Sequence, residues 1–200
     1  MFMNLPNRLT LTRLVIVPLF VAAMMVDHEI GYGCAYLLFI VASVTDYLDG
    51  KIARDRGLVT NFGKLMDPLI DKVLMSAAFV MMMQVPSLRI PAWTIVAILT
   101  REFLVTGARS LAVSDGSVLA ANIWGKSKTV IQMVYIYVFL FFVIVGLLVQ
   151  RWAEDYADRF SQYLTWSSYG GIVFVAVFTM YSGLQFARSN WQSLNLGSRK

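Results

Sequence analysis

The sequence contains one cysteine, Cys34, and one histidine, His28, which excludes an intrachain disulfide, a thiolate metal cage and a multi-histidine metal site. Cys34 reads as a small apolar packing residue, and His28, between Asp27 and Glu29, as part of a polar turn. Charge is also scarce. Asp, Glu, Lys and Arg make up 14 % of the residues against 58 % hydrophobic, with a mean hydropathy of +0.65, so an ordinary soluble domain is excluded and a membrane protein is expected. The net charge of +5 would suit nucleic acid, but removing the apolar runs leaves no soluble face to carry a basic stripe. A membrane surface and an anionic substrate remain as partners, with no nucleic acid. No small-residue cleavage site interrupts "MFMNLPNRLTLTRLVIVPLFVAAMM", which is therefore expected to stay attached as a span.

What the sequence has in abundance is apolar length. Six stretches, Leu11 to Val26, Tyr32 to Tyr47, Leu69 to Val85, Pro91 to Val113, Val130 to Gln150 and Tyr163 to Phe186, each approach the span of a membrane helix, about 20 residues for about 30 Å of hydrocarbon. Polar linkers separate them: "DHEIGYG", an acidic stretch from Asp46 to Asp71, "PSLRIP", "SDGSVLAANIWGKSK" and "RWAEDYADRFSQ". Assigning alternate linkers to opposite sides puts every Lys and Arg except Arg89, Arg151 and Arg159 on one side. That side should be cytoplasmic. The polar opening "NLPNRLTLTR", with Pro6 near its start, predicts a short interfacial helix. The expected fold is an all-α integral membrane protein, one domain over residues 1–200. Six transmembrane helices follow the interfacial helix, and both termini are cytoplasmic.

The acidic stretch is the anomaly in so apolar a chain. Asp46 and Asp49 are three apart, and Asp67 and Asp71 four apart, so each pair projects from one face of its own helix. Two such helix ends joined by one linker would gather up to four negative charges in a partly dehydrated place, untenable unless protons or cations neutralise them. Hard divalent cations with oxygen ligands meet that need; Mg²⁺ is favoured by its preference for carboxylates plus substrate phosphates, with Mn²⁺ the alternative. The bland reading has these residues as solvated interface groups paired with Lys51, Arg54, Arg56, Lys64 and Lys72. It suits each Asp singly and not two helix-spaced pairs, because ionisable groups at membrane depth are costly and usually functional. Gly50 and Gly63 flank them, and their missing side chains let a phosphate or nucleotide approach closely.

"DYLDGKIAR", eight residues, then "GKLMDPLID" fit the pattern D-x2-D-G-x2-A-R-x8-G-x3-D-x3-D. This resembles the signature of the CDP-alcohol phosphotransferase family, whose six spans carry the motif across the second and third. The resemblance implies that Asp46, Asp49, Asp67 and Asp71 hold two Mg²⁺ ions. It also implies that Asp71 deprotonates the acceptor hydroxyl, and that Gly50, Arg54, Thr60 and Gly63 hold the CDP moiety with help from Asn7 in "LPNRLT". Two metals drawing charge from a pyrophosphate, with one positioned base for in-line attack by an alcohol, agree with the carboxylate reading. A CDP-diacylglycerol donor also explains the membrane, since its acyl chains can stay in the bilayer.

The signature leaves the acceptor open. Arg101 and Arg109 lie eight apart on the fourth stretch, about 80° apart around a helix, and Lys126 and Lys128 begin the fifth. Together they suit a cationic cup for an acceptor phosphate. Snorkelling at the interface suits Lys128 but not Arg101 in mid-span. "TREFLVTGAR" and "WGKSKT" resemble the corresponding segments of bacterial family members that use glycerol 3-phosphate. Inositol phosphate, phosphatidylglycerol and serine are the alternative acceptors. Glu102 reads as an internal partner for Arg101. "YGG" at Tyr169 to Gly171, with Gly183, suits close helix packing, and a homodimer is expected mainly from the family. A divalent-cation transporter is the competing class, but it calls for carboxylates near mid-membrane, often on broken helices, and here they sit at helix ends. A non-catalytic scaffold gives no reason for the signature. A bacterial inner-membrane enzyme with a cytoplasmic active site is expected.

Overall fold

The computed structural model describes residues 5–55, 61–86, 88–114 and 123–191, with side chains outside 5–10, 49–51, 53–55, 61–68, 113–114 and 126. These residues form α1 (Leu5–Met24), α2 (Glu29–Asp55), α3 (Asn61–Met82), α4 (Ala92–Ser114), α5 (Ile123–Trp152) and α6 (Glu154–Ser189). Each apolar stretch becomes one helix, and there is no strand among the described residues. Part of α2 (Glu29–Leu48), with α5 and α6, is long and apolar enough to cross a membrane. α4 has a comparable length but carries Arg101, Glu102 and Arg109. Large apolar side chains such as Val15, Leu37, Val96, Leu104 and Phe174 lie exposed on the helix exteriors, the pattern of helices immersed in an apolar solvent.

Two expectations change. The opening segment is not a separate helix: α1 runs unbroken from Leu5, through Pro18, to Met24. Cys34 is exposed on α2 rather than packed, because the buried stripe of that helix runs through Tyr32, Ala35, Phe39 and Ala42 and Cys34 lies off it.

The chain forms two compact units. Unit 1 comprises Met1–Ser87 and Tyr137–Leu164, and unit 2 Leu88–Ile136 and Thr165–Lys200, so α5 and α6 each contribute to both. In unit 1, α1 packs on α2 and α3. The Phe20 and Phe39 rings lie 6.0 Å apart, and Phe39 meets Tyr137 edge to face at 5.0 Å. The α1 to α2 turn explains His28: its Nδ1 accepts from the Ile30 N–H at 3.3 Å, capping α2, while Glu29 in the first turn complements the helix dipole. Gly31 is required there, since a Cβ would meet the Ala23 carbonyl oxygen at 2.8 Å and the Val26 carbonyl oxygen closer still. Arg151, near the end of α5, pairs with Glu29. The expected linker "RWAEDYADRFSQ" is nearly all helix: only Ala153 separates α5 from α6, whose first turn carries Glu154 and Asp155.

In unit 2 neighbouring helices approach closely at two glycines. A Cβ on Gly171 would meet the Tyr135 ring at 2.5 Å, and one on Gly183 would meet Arg101 Cγ at 2.9 Å, whereas Gly170 has nothing within 4 Å. The small residues expected to allow close packing thus serve contacts inside the chain. Tyr135 is further fixed by donating its hydroxyl to the Ser168 carbonyl at 2.7 Å.

Candidate active site

The signature falls on two helices. Asp46, Asp49, Gly50 and Arg54 sit on the C-terminal turns of α2, and Gly63, Asp67 and Asp71 on α3. The helix-spaced carboxylate pairs are therefore helical in fact. Asp46 and Asp71 are described and partly exposed. The side chains of Asn7, Asp49, Gly50, Arg54, Gly63, Asp67 and Lys126, and the whole of Thr60, lie outside the described residues. Among the described residues no three His, Cys, Asp or Glu gather into a metal-sized group. The two described carboxylates are hard oxygen donors that remain open to solvent, which fits Mg²⁺ in donor chemistry.

Sequence reasoning missed Arg13. On α1 it is the largest fully buried side chain, 1 % exposed, and its Nη1 donates to Asp46 Oδ1. The carboxylate it holds is 46 % exposed. The only signal available was the position of Arg13 within an apolar run. Its partner is 33 residues away.

Unit 2 holds the second polar cluster. Arg101 and Glu102 are each 6 % exposed and Lys128 5 %, and both cations donate to Glu102 Oε1, Arg101 from Nη1 at 3.4 Å. Arg101 Nη2 also donates to Ser182 Oγ on α6 at 2.9 Å. Ser182 Oγ in turn donates to the Trp124 carbonyl at the start of α5, at 3.0 Å. One turn deeper, Gln132 Nε2 donates to Thr179 Oγ1 at 3.1 Å. Every element of the unit thus meets at Arg101, Glu102 and Lys128, and burial at this density requires such pairing. Arg101 Nε nevertheless has no hydrogen-bond partner among the described residues.

The structure brings Arg101 and Lys128 together, and Arg109 Nη2 lies 3.9 Å from where a Cβ on Gly125, at the start of α5, would stand. Arg109 is exposed, with its guanidinium carbon 5.2 Å from the centre of the Phe186 ring, a cation–π contact. Phe186 packs with Val105, Ala108 and Ala112. A cleft of about 340 Å³ opens between α4 and α6, and of the described residues lining it Arg101 alone carries charge; Leu104, Val105, Gly183 and Phe186 are among its apolar walls.

Residues 3–184 match the model of the CDP-alcohol phosphatidyltransferase family. The chain is 37 % identical to the CDP-diacylglycerol--glycerol-3-phosphate 3-phosphatidyltransferase of Bacillus subtilis (strain 168), over 96 % of this chain and 97 % of that one. It is 40 % identical to the protein of the same name from Rickettsia felis, over 65 % of this chain and 71 % of that one. A third of that name, from Haemophilus influenzae, is 31 % identical over 92 % of this chain and 91 % of its own. With the match spanning all six helices and the signature intact on α2 and α3, the chain belongs to the CDP-alcohol phosphatidyltransferase family.

Proposed function

We propose that the protein transfers the phosphatidyl group of CDP-diacylglycerol to glycerol 3-phosphate, giving phosphatidylglycerophosphate and CMP. The relatives that carry this activity in their names support the substrates. The observation that carries the acceptor assignment is the buried Arg101, whose Nε is a donor with no partner among the described residues. Arg101 and Lys128 together hold more positive charge than Glu102 offsets, the condition for taking a phosphate into a buried place. Arg109 and Lys126 extend this acceptor site in the proposal. Inositol phosphate would also satisfy a cationic site; serine, with a carboxylate and no phosphate, and phosphatidylglycerol are less favoured.

In the proposed reaction, the acceptor hydroxyl oxygen bonds to the phosphorus carrying diacylglycerol. The bond from that phosphorus to the bridging oxygen breaks, and CMP leaves with the electron pair. Asp71 takes the hydroxyl proton, and Asp46, Asp49, Asp67 and Asp71 hold two Mg²⁺ ions, with Mn²⁺ the alternative. When bound, such ions withdraw charge from the pyrophosphate. Asn7, Gly50, Arg54, Thr60 and Gly63 hold the CDP moiety. All six helices span the membrane within one catalytic domain, residues 1–200, with both termini and the site on the cytoplasmic side of a bacterial inner membrane. A homodimer belongs to the same proposal.

The test is CMP release by detergent-purified protein with CDP-diacylglycerol and Mg²⁺, with glycerol 3-phosphate, inositol phosphate, serine and phosphatidylglycerol offered separately. Release with glycerol 3-phosphate alone is expected. Release with another acceptor instead would keep the donor and overturn the acceptor. No release with any, from folded protein, would return the carboxylates to cation transport.

A further inference from the structure

We infer that Arg13 is a positioning residue for a divalent cation site: from α1 it holds Asp46 on α2 in the orientation that receives the ion. This rests on the proposed metal-binding role of Asp46.

The pair is asymmetric. Arg13 is 1 % exposed, whereas the carboxylate it binds is 46 % exposed. A salt bridge that served only to join two helices would have no need to present one partner to solvent. Here the cation is sealed and the anion is left open, so Asp46 is gripped from behind and presented outward. Buried ion pairs are also weak sources of stability, because desolvation offsets much of the attraction; this argues for a use beyond clamping α1 to α2. The neighbouring polar side chains on α2 do not share the task. Ser43 Oγ donates to the Phe39 carbonyl at 2.9 Å, and Thr45 Oγ1 to the Val41 carbonyl at 2.8 Å, each satisfied within its own helix.

The guanidinium acts on cation binding in two opposed ways. Its charge repels the ion, and its hydrogen bond fixes the ligand. The signature stretch carries cations of its own, among them Lys51, Arg54 and Lys64, so the charge of Arg13 is one of several and geometry is what it governs. Hydrogen-bonded partners of ligating groups commonly control affinity in this manner. The fork of an arginine fixes a carboxylate plane as the point charge of a lysine does not.

The experiment titrates Mn²⁺ into detergent-purified full-length protein without substrate, reading free Mn²⁺ by electron paramagnetic resonance alongside thermal melting. Arg13→Met keeps the apolar stem and leaves Asp46 half in solvent, so it is expected to fold and to bind Mn²⁺ about 10–100-fold more weakly. Arg13→Lys is expected to fall between it and the parent. In an Asp46→Asn background, Arg13→Met is expected to cause no further loss, because Arg13 acts through Asp46. A purely structural Arg13 would lower the melting temperature and leave affinity unchanged; unchanged or tighter binding by folded Arg13→Met overturns the inference. Should Arg13→Met fail to fold, parental affinity in Arg13→Lys does the same. Absence of Mn²⁺ binding by the parent protein would overturn the metal reading itself, a result distinguishable from failure of the variants alone.

Discussion

The two units solve opposite charge problems with the same device. In unit 1 a buried guanidinium, Arg13, meets one carboxylate of a signature that has three more. In unit 2 a buried carboxylate, Glu102, meets two cations. In the first the cation is sealed and its carboxylate is left partly exposed, whereas in the second all three charged groups are buried together. In the function proposed, a cation completes the first and an anionic substrate the second.

The comparison breaks first at Asp71. Asp71→Asn is expected to lower the rate of CMP release by about 10²–10⁴-fold, the range a positioned base supplies, and parental turnover in folded protein would remove Asp71 from the chemistry. Next comes the opposite cluster. Lys128→Ala and Arg101→Lys are each expected to raise KM for glycerol 3-phosphate by about 10-fold or more, the loss of one charged hydrogen bond, with less effect on kcat. A fall in kcat at unchanged KM would place these cations outside acceptor binding. Gly183→Ala sharpens the same point without touching a charge. Its Cβ would push on Arg101 Cγ at 2.9 Å, so KM for the acceptor should rise several-fold, an overpacking cost of about 1–3 kcal/mol shared with stability. The smallest effect is expected from a matched pair next to one another. Gly171→Ala should lower the melting temperature because of the Tyr135 ring, and Gly170→Ala, which meets nothing, should be neutral or raise it by removing backbone freedom. Equal effects would mean that the close approach of α5 and α6 in unit 2 does not matter.

The helices were legible in the sequence and their ends were not, for a physical reason. An apolar run measures how much of a helix hydrocarbon can cover, whereas hydrogen bonding continues wherever the residues permit. α2 therefore runs past Tyr47 to Asp55, carrying the signature carboxylates out on a helix, and α6 starts at Glu154 rather than Tyr163 with acids suited to its first turn. The Glu102 to Arg101 pairing was legible because the residues are adjacent. Lys128 lies 26 residues from Glu102, Ser182 lies 81 from Arg101, and Arg13 lies 33 from Asp46. No periodicity encodes such partners; they are consequences of which helix faces meet. The Phe186 ring beside Arg109 is a partner of the same kind, 77 residues away and not encoded by any spacing.

Because α5 and α6 each pass through both units, neither unit is a continuous length of chain, and this bears on how the protein is made. A ribosome that has released α4 into the bilayer has delivered Arg101 and Glu102 before Lys128 and Ser182 exist. On the proposed six-span arrangement, two charged side chains have only each other at membrane depth for that interval, and insertion of the last two helices completes their pairing. A nascent chain arrested between α4 and α5 should be a preferred substrate for membrane quality control, and one arrested after α6 should not.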